Sequence, residues 1–153
     1  MPTPEERLQE LGVTLAAPVA PLAAYVPCVR SGDLVYVSGQ VPLVEGRPSH
    51  TGRLGDGVGL DEGVAAARQC AVNLLAALKA ELGELGRVRR VVKVTGFVAS
   101  AAEFTDQPKV VNGASELLGE VFGDAGRHAR AAVGVAALPL GVPVEVEAIV
   151  EVA

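Results

Sequence analysis

The feature that most constrains this chain is the unbroken alternation of its last strand. Val144, Val146, Ala148, Val150 and Val152 fall on one face, and Glu145, Glu147, Ile149 and Glu151 on the other. One face is wholly apolar, whereas the other holds Ile149 amid carboxylates, so only one side can pack on the chain's own helices. Just upstream, His128-Ala129-Arg130-Ala131-Ala132-Val133-Gly134-Val135 reads as a second strand carrying a lone guanidinium near its start, with Leu138-Pro139 between the two. Arg130 and Glu145 thus place a cation and a carboxylate on rigid backbone, as a site for a small anion requires.

The remaining periodicities supply the helices. Residues 4–10 read as a short amphipathic helix, followed by a Pro-rich connector through Ala24. Tyr25–Arg30 and Leu34–Val37 form a hairpin about Ser31-Gly32-Asp33, which Ser38-Gly39-Gln40 then breaks. Residues 44–59 carry five glycines and read as a loop. From Asp61 to Leu82, Val64, Ala67, Ala71, Leu74, Leu75, Leu78 and Leu82 recur at helical spacing, and Gly83 stops the helix. Arg90–Ala99 is a strand. A second long helix is capped by Asp106, carries Pro108 in its first turn and ends at Gly123. The expected class is α+β: a mixed sheet with two main helices packed on one face, in one domain spanning residues 1–153.

Composition narrows the function. Net charge is −5, and the aromatics are two tyrosines, three phenylalanines and no tryptophan. Such a chain repels phosphate backbones and anionic membranes and offers few platforms for stacked bases, so neither nucleic acid nor membrane is an expected partner. The basic run Arg87, Arg89, Arg90 and Lys93 reads as the solvated edge of a helix–strand turn. Cys28 and Cys70 read as reduced residues of a cytoplasmic protein. The start lacks a basic, apolar leader, and Val13–Val26, broken by Pro18 and Pro21, is too short to span a bilayer.

Elimination leaves little chemistry. His50 and His128 stand alone, without ligands at metal spacing. Neither cysteine has a nearby histidine, Ser38-Gly39 lacks a hydrolase elbow, and the glycines of residues 52–57 lack the Lys-Ser/Thr of a phosphate loop. On composition alone Arg130 reads as a strand-edge arginine in a surface salt bridge, and Glu147 and Glu151 read as a solvated face. In a simple hairpin about Leu140, Glu145 would oppose Val135, about 16 Å from Arg130 at roughly 3.3 Å per residue. A shared site then requires another strand order or a second subunit.

From Tyr25 to Val150 the chain resembles the RidA/YjgF family. The resemblance rests on Gly32-Asp33-Leu34-Val35-Tyr36-Val37-Ser38-Gly39-Gln40-Val41-Pro42, on the Ala-rich helix with Asn73-Leu74-Leu75, on the Val-Val-Lys-Val strand and on the Arg130–Ile149 segment. It implies a chorismate-mutase-like fold whose last strand inserts into the middle of the sheet, and a homotrimer with small-molecule sites at its interfaces. The implied activity is that of an enamine/imine deaminase, hydrolysing 2-imino acids to 2-keto acids and ammonia without metal or cofactor. Carried over by position, Arg130 grips the substrate carboxylate and Glu145 positions the attacking water. Gly39 supplies a backbone N–H, Tyr25 a phenol and Asn112 a polar contact, and Ala132 stands at a binding position that acts either through its backbone carbonyl or through its side chain. Departures from the family pattern are Val26-Pro27, Ala132 in place of Cys or Ser, and a longer Ala101–Gln107 loop and N-terminus. They leave open an alternative, a module of the same fold that binds small carboxylates without turnover. A ribonuclease, a label the family has also carried, fits the charge and aromatic content poorly.

Overall fold

A computed structural model describes residues 1–18 and 23–153; part of the expected Pro-rich connector lies outside these residues. The elements are α1 (Pro4–Glu10), β1 (Cys28–Ser31), β2 (Leu34–Gln40), β3 (Leu43–Val44), β4 (Arg47–Pro48), β5 (Arg53–Leu54), β6 (Gly57–Val58), α2 (Leu60–Leu82), β7 (Val88–Ala99), α3 (Gln107–Phe122), β8 (Ala129–Val135) and β9 (Val144–Val152). The fold is α+β, with a five-stranded mixed sheet in the order β1-β2-β9-β7-β8.

The hairpin drawn from spacing alone is not formed. β7, α3 and β8 make a βαβ crossover, so β8 lies parallel to β7 at the sheet edge, with Val94 opposite Arg130. The other side of β7 takes β9, which runs antiparallel to both β7 and β2. Burial explains why the last strand takes the centre. Val144, Val146, Val150 and Val152 are 0 % exposed beneath α2 and α3, a degree of covering an edge strand would not reach. The core continues through Leu74, Leu75 and Leu78 of α2 and Val110, Leu117 and Leu118 of α3.

Three local expectations change. β1 begins at Cys28, not Tyr25. Pro27 has no N–H for a ladder, and its carbonyl instead accepts from the Ser38 N–H at 2.8 Å. Ser38-Gly39 does not end β2 but interrupts its register with β9, between Val37 and Gln40. Asp106 sits at the α3 N-cap without a capping bond from its side chain, which lies 3.6 Å from Lys109 Nζ. The glycine-rich loop of residues 44–59 contains the short pairs β3–β4 and β5–β6.

Among the described residues no α-helix covers the second sheet face. Pairing aligns Val29 with Tyr36, Tyr36 with Ile149, Phe97 with Glu145 and Phe97 with Val133. Val29, Tyr36 and Val133 are 53 %, 44 % and 44 % exposed, so this face presents apolar side chains to its surroundings. Among the described residues no helix is long and apolar enough to cross a membrane.

Candidate functional site

The sequence-predicted site residues gather in two places. Tyr25, Gly39 and Glu145 line a cavity of about 770 Å³, walled also by Gly12, Val13 and Ala16 and by Gln69, Val72 and Asn73 of α2. The register break in β2 creates this end of the cavity. It leaves Gly39 beside β9, so close that a Cβ at this position would stand 2.6 Å from Glu145 Oε1. Only glycine admits the carboxylate there. Asn73 Nδ2 donates to the carbonyls of Val41 (2.9 Å) and Leu43 (3.0 Å), and Gln69 Nε2 donates to Asn73 Oδ1 (3.1 Å), tying the strand end to α2.

Glu145 is half-buried and has no ion-pair partner among the described residues. Burial raises its pKa above the usual 4.5, and Glu147 two residues along adds to the rise. A carboxylate held this way binds a proton more readily than a solvated one, which suits a group that takes a proton from water. Burial also pushes the Cys28 thiol up to about 11, helped by Glu81, and raises Cys70 further with help from Glu145. Neither thiol is a nucleophile near neutral pH.

Arg130 lies elsewhere. Its Nη1 donates to Asn112 Oδ1 (2.8 Å) and Ser115 Oγ (3.1 Å), and its Nη2 to the Pro108 carbonyl (3.1 Å), all on α3. The salt bridge expected of a structural arginine is absent among the described residues. Among the described residues three of the five N–H groups of the guanidinium are engaged, all by neutral acceptors. Two donors remain, on Nε and Nη2, the nitrogens that a side-on carboxylate engages. Ala132, two residues on and opposite Gly96 of β7, packs against the core.

One chain does not unite the two groups. Arg130 pairs with Val94 and Glu145 with Phe97, three residues apart on β7 in a stretch of regular register, so the side chains leave opposite sheet faces. Two strand spacings and three residues separate their Cα atoms by about 14 Å.

His128, which stands alone in the sequence, is engaged through both ring nitrogens in the fold. Its Nδ1 lies 2.6 Å from the Gly126 carbonyl and its Nε2 2.9 Å from Ser115 Oγ, the hydroxyl that also contacts Arg130. The readable signal for Ser115 is its i, i+3 spacing from Asn112 on α3. Among the described residues the His50 ring bonds only to its neighbour Ser49, at 2.8 Å. The described residues hold no group of three metal-ligating side chains.

Comparison with known proteins agrees with the architecture. The family model described as "Endoribonuclease L-PSP" matches residues 14–152. Protein TCP17 of Trypanosoma cruzi is 51 % identical over 145 residues, covering 94 % of this chain and 91 % of that protein. The crystal structure of protein Atu1372 of Agrobacterium tumefaciens, of unknown function, is also 51 % identical, with a TM-score of 0.93 over 98 % of this chain and 92 % of that one. A candidate endoribonuclease of Shewanella oneidensis superposes with a TM-score of 0.96 at 35 % identity, over 99 % of this chain and all of that one (100 %). The chain is a member of the endoribonuclease L-PSP family, the RidA/YjgF family that its sequence resembles.

Proposed function

We propose that the protein hydrolyses 2-imino acids to 2-keto acids and ammonium at sites shared between copies of a cyclic trimer. The observation that carries this reading is Arg130, a half-buried guanidinium held by three neutral acceptors with two donors left for an anion. A carboxylate bound there places the adjacent C=N carbon in a defined position. Glu145 of a neighbouring copy, lining its cavity, supplies the water. As the Glu145 carboxylate takes a proton from water, the oxygen attacks the C=N carbon of the protonated imine and forms a neutral carbinolamine. Glu145 returns that proton to the amine, the C–N bond breaks as Glu145 takes the hydroxyl proton and passes it to the departing ammonia, and 2-keto acid and ammonium leave. Imine hydrolysis is intrinsically easy, so orientation and a held water suffice.

The need for two copies follows from the opposite-face placement of the two side chains. The sheet face that no described helix covers, where Val29, Tyr36 and Val133 stand exposed beside the β9 carboxylates, supplies a surface for that assembly. A ribonuclease reading has weaker support: both ring nitrogens of His128 are engaged within the chain, and the net charge of −5 opposes RNA.

The test generates 2-iminobutanoate with a threonine dehydratase in the presence of semicarbazide and measures the trapped fraction with and without the protein. A lowered trapped fraction is expected. An unchanged fraction at micromolar protein, together with measurable 2-ketobutyrate binding, would instead identify a carboxylate-binding module of the same fold.

A further inference from the structure

We infer that His128 and Ser115 are positioning residues that hold the Arg130 guanidinium ready for a carboxylate. The inference rests on the proposed role of Arg130 and adds a supporting relay. A carbonyl only accepts, so the 2.6 Å contact from Gly126 O requires a proton on His128 Nδ1. In the neutral ring Nε2 is then an acceptor, and the hydroxyl 2.9 Å away must donate to it. The Ser115 rotor is thereby fixed with its lone pairs toward Arg130 Nη1, 3.1 Å away. Polarity runs in one direction, from Arg130 through Ser115 and His128 to the Gly126 carbonyl.

The far end of this relay is itself anchored. Gly126 presses on the end of α3 so closely that a Cβ would stand 2.4 Å from the Leu118 carbonyl oxygen, which sets where the Gly126 carbonyl points. With Asn112 Oδ1 on the same Nη1, both of its N–H groups are occupied, and the Pro108 carbonyl holds Nη2. The plane of the guanidinium is therefore set before any ligand arrives. Without His128 the Ser115 hydroxyl can rotate and turn its own proton toward the cation, removing an acceptor. A pre-set donor pair loses less entropy on binding than a mobile one.

The experiment compares wild type, Ser115→Ala, Ser115→Thr and His128→Ala by three readouts: nitrogen-15 resonances of the Arg130 guanidinium in ligand-free protein (assigned with Arg130→Lys), calorimetric binding of 2-ketobutyrate, and imine hydrolysis. Separate Nη1 and Nη2 signals, marking hindered rotation, are expected in wild type and Ser115→Thr and should merge in Ser115→Ala and His128→Ala. The two alanine variants should bind 2-ketobutyrate roughly three- to tenfold more weakly, the scale of one lost hydrogen bond. KM should rise by a similar factor, with kcat within about twofold of wild type. Separate signals and unchanged affinity in both alanine variants would overturn the inference. A wild type with separate signals that binds no 2-ketobutyrate would instead overturn the carboxylate role of Arg130, and with it the purpose of the relay.

Discussion

At the scale of single residues, the sharpest expectations concern Arg130, Glu145 and Gly39. Arg130→Ala should abolish imine hydrolysis and weaken 2-ketobutyrate binding at least tenfold, since a charge-assisted hydrogen bond contributes about 1.5–3 kcal/mol. Its melting temperature should fall only slightly: three hydrogen bonds to neutral acceptors on α3 are lost, but no salt bridge among the described residues. Arg130→Lys should recover little, an ammonium having no fork to match a carboxylate. Melting temperature and turnover on one preparation separate this from a structural role. Glu145 carries the opposite trade. Its folded pKa lies above the unfolded value, so the stability linked to its proton is fully present below the unfolded pKa and lost as pH rises through the folded one. At neutral pH the charged group therefore costs stability, and Glu145→Gln should raise the melting temperature while removing turnover. In the wild type, kcat should fall on acidification through a pKa above the ordinary carboxylate range, which a pH–rate profile reads directly. Gly39→Ala puts a Cβ at 2.6 Å from Glu145 Oε1. It should cut turnover by displacing the carboxylate, yet leave 2-ketobutyrate binding at Arg130 intact.

At the scale of elements, the position of β9 decides where protection from exchange is highest. Amides of Val146, Ala148 and Val150, paired on both sides, should exchange most slowly, and those of the edge strand β8 faster by native-state hydrogen exchange. A β8–β9 hairpin at the sheet edge would reverse that ranking. The cavity between the N-terminal segment, α2 and the broken end of β2 also makes a prediction. With about 770 Å³ lined by Val13, Val72 and several alanines, it is larger than a three-carbon imino acid fills. Each methylene buried there should raise kcat/KM by roughly fourfold, from about 0.8 kcal/mol of transfer free energy. Competition between the imines of alanine and leucine measures this, and a preference for the smaller substrate would show that the cavity does not hold the side chain. The N-terminal segment, and not the Ala101–Gln107 loop, is the chain extension that lines this space.

At the scale of the whole molecule, the opposite-face placement of Arg130 and Glu145 makes a complementation test decisive. Arg130→Ala and Glu145→Gln should each be inactive alone. Unfolded together and reassembled in equal amounts, they should recover roughly a quarter of wild-type activity, because in a cyclic assembly one site in four pairs an intact arginine with an intact glutamate. No recovery would place the site within one chain or dispose of it. A charge on the open sheet face, as in Val133→Glu, should dissociate the assembly in light scattering and abolish activity with it.

The sequence by itself determined the elements and which face of each is buried, because periodicity is a local property. The alternation of Val144–Val152 and the helical spacing from Val64 to Leu82 reappear as strand and helix with their apolar sides in the core. Arg130, Asn112, Tyr25, Gly39 and Glu145 became candidates through family resemblance, which carries over residues but not distances. Tertiary structure decided that β9 lies between β2 and β7, which the resemblance implied and periodicity could not give, since pairing is a non-local choice made by burial. It alone placed Arg130 and Glu145 on opposite sheet faces and joined His128 to Ser115 across 13 residues of chain. A hydrogen-bond relay leaves no periodic trace in a sequence: its members share a point in space and not a spacing.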